Sequence, residues 1–261
     1  MRLAARGIPR RFRLCRDASR TRLTRGARLF TASSPRDRSL IPWEHLDTAA
    51  IPGEAGTLRL MRRGTEYSIQ LDRNELMNSR LSGSEEALAR LSAERVAGAR
   101  APRVLIGGYG MGFTLRAALS LLPETAQVTV AEIVPAVLAW ARGPMAELTG
   151  GSLDDPRVSI READVAAVIR ERPGAWDAIL LDVDNGPDGL TRTENDRLYD
   201  AAGLGAARAA LRPKGVLAVW SAHPDAAFTR RLGQAGFSVE EVATRARGKR
   251  GARHVIWLAG R

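Results

Sequence analysis

Short apolar runs and helix-spaced stripes alternate along most of this chain. Residues 104–106, 127–132, 158–160, 176–181 and 216–220 are compact apolar runs of the length that buried strands take. Between them lie residues 113–122 (closed by Pro123), 135–148 (Pro first, Gly150 and Gly151 after), 164–171, 194–211 (stopped by Pro213 and Gly215) and 225–235. Each of these has helical spacing with start or stop signals at its ends. Residues 237–242 and 254–258 read as a closing strand pair, and the basic stretch 245–253 between them as a solvated hairpin tip. Upstream, residues 57–61 and 66–71 alternate in polarity and meet at Arg63-Gly64, which predicts a hairpin. Residues 74–80 continue as strand or turn. A helix is expected over 85–97, with Glu85 and Glu86 in its first turn, and Ala101-Pro102 leads into the first core run. The pattern predicts an α/β fold: a seven-stranded, mostly parallel sheet with helices on both faces, ending in a hairpin and preceded by a small β element.

The first core run opens into Gly107, Gly108, Gly110 and Gly112 before the helical stripe begins. Glycines permit positive φ and close backbone approach, and the helix start behind them offers free N–H groups to a polar ligand. A tight turn with no ligand would use the same residues, so the strand ends carry the argument. The second run ends in Glu132, about twenty residues beyond the glycines, where a carboxylate can accept both hydroxyls of a ribose. The third leads to Asp164 and the fourth to Asp182 and Asp184. Acids at the carboxyl ends of successive parallel strands line the edge where open α/β sheets bind ligands.

With 261 residues and 44% hydrophobic content, the chain can build one full domain and an appendage. The expected division is 1–40 as a disordered basic arm or spurious extension, 41–98 as the β element with its linking helix, and 99–261 as the nucleotide-binding domain. No apolar run reaches the ~18 residues of a membrane helix. The single cysteine, Cys15, and three scattered histidines, His45, His223 and His254, suggest no metal centre. The net charge of +11 is concentrated: residues 1–40 hold twelve arginines and two aspartates, leaving the other 221 residues near +1. The body is therefore not a basic nucleic-acid binder. Residues 1–40 also have the composition of an organelle transit peptide, but a cytoplasmic protein is the leading expectation. Of five tryptophans, only Trp220, at the end of the fifth core run, is a candidate for lining a pocket.

Gly108-x-Gly110-x-Gly112 resembles the S-adenosylmethionine loop of the Rossmann-like methyltransferase superfamily more than the dinucleotide G-x-G-x-x-G. Within that superfamily, residues 57–258 resemble the spermidine synthase-like proteins (polyamine aminopropyltransferases). Three features carry the resemblance: Val104-Leu-Ile-Gly-Gly with the loop and Thr114-Leu-Arg116; Ala131-Glu-Ile-Val-Pro135; and the β element before the linking helix. The resemblance implies that Glu132 holds the ribose, Asp164 the adenine amino group, and the glycines the tail of S-adenosylmethionine or its decarboxylated form as co-substrate. It implies no metal, no nucleic acid and no membrane, and a small amine or other small polar acceptor, with a homodimer left open. Asp182 and Asp184 would bind and deprotonate the amine, with Tyr199 as a hydroxyl partner. Alternatively, Asp182 caps its loop and Asp184 makes an Asx-turn to Gly186. The chain departs from the family where the aminopropyl group would be gripped: the usual loop acid is Gly110 or Met111, the Asp-x-x-Asp-Pro becomes Asp182-Val-Asp184-Asn185-Gly186-Pro187, and the Tyr-His-Glu becomes Ser84-Glu85-Glu86. Asp184 and Glu85 remain as acids to replace the missing one. Aminopropyl transfer to a small amine is the leading expectation. Methyl transfer to a small molecule, or a non-catalytic nucleoside-binding relative, are the alternatives.

Overall fold

The computed structural model describes residues 41–53, 56–183, 196–247 and 250–261. All of them fall in one unit, Ser39–Arg261. The expectations for residues 1–40 and for Asp184 lie outside the described residues.

Four antiparallel strands come first: β1 (Glu44–Ala50), β2 (Thr57–Arg63), β3 (Glu66–Leu71) and β4 (Asn74–Asn78), paired in that order. β1 is an addition to the expected elements. Its side chains are mostly exposed at the sheet edge, so no apolar alternation marks it. The hairpin at Gly64 forms as expected. Helix α1 (Gly83–Val96) then leads to β5 (Arg103–Gly107), α2 (Phe113–Leu121), β6 (Gln127–Glu132), α3 (Pro135–Arg142), α4 (Ala146–Thr149) and β7 (Val158–Glu162). α5 (Val165–Glu171), β8 (Trp176–Leu181), α6 (Asp196–Tyr199), α7 (Ala201–Ala210), β9 (Leu211–Ser221), α8 (Ala226–Gln234), β10 (Ser238–Arg247) and β11 (Arg250–Gly260) complete it.

The main sheet has the order β10-β11-β9-β8-β5-β6-β7. β5 through β9 run parallel, and β11 enters antiparallel between β9 and β10. β5 pairs with β6 on one side and β8 on the other, so the strand order reverses beside it. That reversal opens the crevice in which α/β sheets hold ligands. Strand alternation divides the core in two. Val104, Ile106, Ala178, Leu180 and Val216 face α1, α2, α3 and the small sheet. Leu105, Ile179, Leu181, Leu217 and Trp257 face α5, α7 and α8. Both faces are apolar, which is why these runs lack the alternation of half-exposed strands.

Two expected helices are broken. The one over 135–148 stops at Arg142, because Pro144 excludes the residue before it from helical geometry. Gly143 takes φ −102°, ψ −111°, and α4 restarts at Ala146. The helix over 194–211 is described from 196 and divides at Asp200, whose extended backbone lets its carboxylate cap α7 through Gly203 N at 2.7 Å. The small sheet is anchored to the main body by the Trp140 indole N–H, which donates to Asp47 at 2.7 Å. Among the described residues, no helix is long and apolar enough to cross a membrane.

Candidate functional site

β5 ends at Gly107, and the chain turns back over the sheet edge through Gly108 and Gly110 before Gly112 caps α2. Gly108 has φ +83°, and a Cβ there would lie 2.6 Å from the backbone oxygen of Asp182. Only glycine lets the loop pass so close to the end of β8. Gly110, at φ +54°, faces β4: a Cβ there would come within 2.7 Å of the Met77 methyl carbon.

Glu132, at the end of β6, is 7% exposed. Its carboxylate accepts the Tyr109 N–H at 2.9 Å and the Val134 N–H at 2.8 Å, one on each oxygen. It therefore stitches the glycine loop to the turn between β6 and α3. Burial pushes its pKa up, while the backbone N–H groups of Tyr109, Val134, Ile133 and Gly110 oppose that. A carboxylate oxygen has a second lone pair, so Glu132 can still accept a hydroxyl from a ligand.

Asp164 caps α5, accepting the Ala166 N–H at 2.8 Å with Oδ1. Asp182, just past β8, accepts the Thr114 hydroxyl at 2.6 Å from the first turn of α2. Burial pushes the Asp182 pKa up to about 7, the neighbouring Glu85 carboxylate adds to the rise, and Thr114 opposes it. Glu85, in the first turn of α1, is itself raised by burial and by Glu86, against the hydrogen bond from Ser84.

Gly108, Gly110, Glu132, Asp164 and Asp182 converge on one cavity of about 140 Å³. Its roof is apolar and comes from the small sheet, chiefly Leu58, Ile69, Leu71 and Met77. The volume is below the ~300 Å³ at which small-molecule pockets begin; Met77 against Gly110 fills part of the space. A larger open groove of about 610 Å³ runs between α1, α2 and Thr244-Arg245, but it carries none of the strand-end acids.

Gly107 and Gly112 shape the loop without lining the cavity. Tyr199 is not among the lining residues either. It is buried in the core of the opposite face, with its ring edge-on to Phe228 at 5.6 Å. Trp220 stands edge-on to His254 at 5.0 Å rather than in this cavity. The sequence reading did not foresee Glu132 as the clamp of the glycine loop. Nor did it foresee the contact of His254 Nδ1 with Ser84 Oγ at 2.9 Å, which joins residues 170 positions apart and leaves no local signal.

No family model matches the chain. Over 123 residues it is 35% identical to polyamine aminopropyltransferase 1 of Streptomyces coelicolor, and over 132 residues 34% identical to the polyamine aminopropyltransferase of Mycobacterium tuberculosis. Its curated relatives are polyamine aminopropyltransferases. These matches span 46% and 49% of this chain and 22% and 24% of the relatives' own length, so about half of the chain corresponds to about a quarter of each relative. In fold it is similar to the spermidine synthase of Thermotoga maritima, with a TM-score of 0.67 and 19% identity over 83% of this chain and 72% of that one. A spermidine synthase in complex with the transition state analogue AdoDATO gives a TM-score of 0.66 over the same shares. The chain is thus similar in sequence to polyamine aminopropyltransferases across about half of its length, and in fold to spermidine synthases across most of it.

Proposed function

We propose that the chain is a spermidine synthase-like transferase that binds an adenosyl sulfonium donor and moves its aminopropyl group to a small amine. The observation that carries the reading is the convergence of Glu132, Asp164 and Asp182 on one cavity beside the glycine loop, under an apolar roof. The donor set suits an adenosyl group: Glu132 for ribose hydroxyls, Asp164 for an amino group, bare backbone at Gly108 and Gly110 for a close-fitting tail. The AdoDATO complex of a spermidine synthase of similar fold is consistent with such a ligand.

Transfer from a sulfonium is an in-line displacement, and the protein contributes alignment, dryness and a place for the amine's proton. Leu58, Ile69 and Leu71 exclude water over the cavity. The Thr114 hydroxyl fixes the Asp182 carboxylate in one orientation. With a pKa of about 7, Asp182 is poised to hold an ammonium when charged and to take its proton. Asp184 is proposed as a second acceptor-side acid on the strength of its position two residues on. Tyr199 is not given a role, since its ring lies in the opposite core.

Methyl transfer is the second reading. It is favoured by the lack of an acid at Gly110 or Met111, and by the Met77 side chain against Gly110, where an aminopropyl ammonium would need a carboxylate. Incubating the protein with putrescine and either donor separates the two. Methylthioadenosine, lost in Asp182→Asn, is the expected product; S-adenosylhomocysteine alone would replace the first reading with the second, and neither product with any amine would leave a nucleoside-binding relative.

A further inference from the structure

The wall that β4 turns towards the glycine loop is built by an irregularity in the strand. Ile69 pairs with Met77 and Gln70 with Glu75, so Leu76 is an extra residue on β4. Successive side chains of an unbroken strand point to opposite faces, and a bulge re-aims one of them. Leu76 and Met77 accordingly both line the cavity, while Glu75 does not. Both Glu75 oxygens are engaged elsewhere: Ser68 Oγ donates to Oε2 and Asn78 Nδ2 to Oε1, each at 2.8 Å. The bulge thus shows the loop two apolar side chains and keeps the acid of β4 away from it.

Strand order fixes what lies between the two walls. β7, β6, β5 and β8 are neighbours in that order, spaced by ~4.8 Å. Asp164 follows β7, Glu132 ends β6, the glycine loop follows β5 and Asp182 follows β8. A nucleoside with its base at Asp164 and its ribose at Glu132 therefore carries its 5′ substituent over β5, into the passage between Gly110 and Met77. A Cβ on Gly110 would stand 2.7 Å from the Met77 methyl carbon and 2.9 Å from its sulfur. The Met77 side chain thus occupies the space that a side chain on residue 110 would take. Among the described residues, the acids lining the cavity are Glu132, Asp164 and Asp182, and none belongs to either wall of this passage.

We infer that Met77 is the specificity-determining residue for the tail of the donor. The placement of the tail rests on the adenosyl reading above; the walls of the passage rest on the bulge and the glycine contact. With a thioether on one wall and bare backbone on the other, the passage packs against the carbon chain of a tail and offers its charged end no fixed counter-charge. The wild-type site therefore accepts a tail that ends in an ammonium alone and one that carries a carboxylate as well. An acid on either wall would separate the two, holding the ammonium and repelling the carboxylate. Residue 77 decides, because Met77 must move aside before position 110 can carry a side chain.

The test is calorimetry of the full chain at pH 8 with three ligands. Decarboxylated S-adenosylmethionine has an ammonium tail, S-adenosylmethionine adds a carboxylate, and methylthioadenosine has an uncharged methyl. The readout is the Kd of S-adenosylmethionine divided by that of its decarboxylated form. In the wild type the two should lie within about tenfold of each other. Met77→Glu should raise the ratio by about tenfold or more, as one charge-assisted hydrogen bond gained does. Met77→Gln, of nearly the same shape without the charge, should raise it less. Gly110→Asp combined with Met77→Ala moves the acid to the opposite wall, in a left-handed conformation that Asp tolerates, and should shift the ratio the same way. Methylthioadenosine shows whether the pocket still forms; where one acid variant loses it, the other decides, and its loss in both contradicts a tail passage here. A wild-type ratio beyond tenfold, a smaller rise in the acid variants, or an equal rise in Met77→Gln overturns the role of Met77 and leaves the adenosyl site standing. Binding of none of the three to the wild type overturns the adenosyl reading, and this assignment with it.

Discussion

Thr114 gives its hydroxyl to Asp182 at 2.6 Å, tying the first turn of α2 to the end of β8 across the strand reversal. The bond holds a carboxyl that burial and Glu85 keep about half protonated near pH 7. Because the folded pKa of about 7 lies above the ordinary 3.8, the folded chain binds more protons than the unfolded one between those values. The stability this one group contributes is therefore fully present below about pH 4 and is lost as pH rises through about 7. Asn at this position still accepts from Thr114 and cannot ionise. Asp182→Asn is expected to raise the melting temperature at pH 8 by ~2–4 °C or more, about 1 kcal/mol at this domain size, and to change it little at pH 4. An equal loss at both pH values would contradict this account of the carboxyl.

Glu132 binds two loop N–H groups from a buried position, so its removal should be felt before any ligand is added. Two charge-assisted hydrogen bonds at roughly 1.5 kcal/mol each come to about 3 kcal/mol. Glu132→Ala should lower the melting temperature by ~6–12 °C, and amide exchange at Tyr109 and Val134 should speed up most. Unaltered protection at those two amides would show that the loop holds its shape without the carboxylate.

The two loop glycines should respond differently to alanine. At Gly108 the obstacle is the Asp182 backbone, which cannot move aside, so Gly108→Ala should cost ~2–4 kcal/mol whatever else is changed. At Gly110 the obstacle is the end of the flexible Met77 side chain. Met77→Ala should recover ~1 kcal/mol of the Gly110→Ala loss in a double-mutant cycle by chemical denaturation. Recovery at Gly108 as well, or at neither position, would place Met77 elsewhere.

The strand ends were legible because the core runs are mostly apolar and three of them stop at or just before a glycine or an acid. Gly107 and Glu132 close β5 and β6, and Asp182 follows Leu181 at the end of β8. The helix expected over 135–148 follows the apolar spacing there, and Pro144, which breaks it, stands in the sequence without entering that expectation. β1 was not legible, since an exposed edge strand needs no hydrophobic pattern. Of the candidate site, Glu132, Asp164 and Asp182 were found by their position at one sheet edge, which the topology imposes. Tyr199 was chosen by closeness in sequence, and the faces of α6 and α7 then carried it into the opposite core. The roof over Gly110 and the Ser84–His254 contact depend on how β4 and β11 pack at long range, which no local pattern encodes.

Binding tests the central claim, an adenosyl sulfonium site between the glycine loop and the small sheet, most directly. Calorimetry of the full chain would compare methylthioadenosine, S-adenosylmethionine, decarboxylated S-adenosylmethionine and NAD. At least one adenosyl thioether or sulfonium should bind clearly more tightly than NAD, and Met77→Ala, which widens the space at Gly110, should change that affinity. Equal or tighter binding of NAD than of all three would contradict the account.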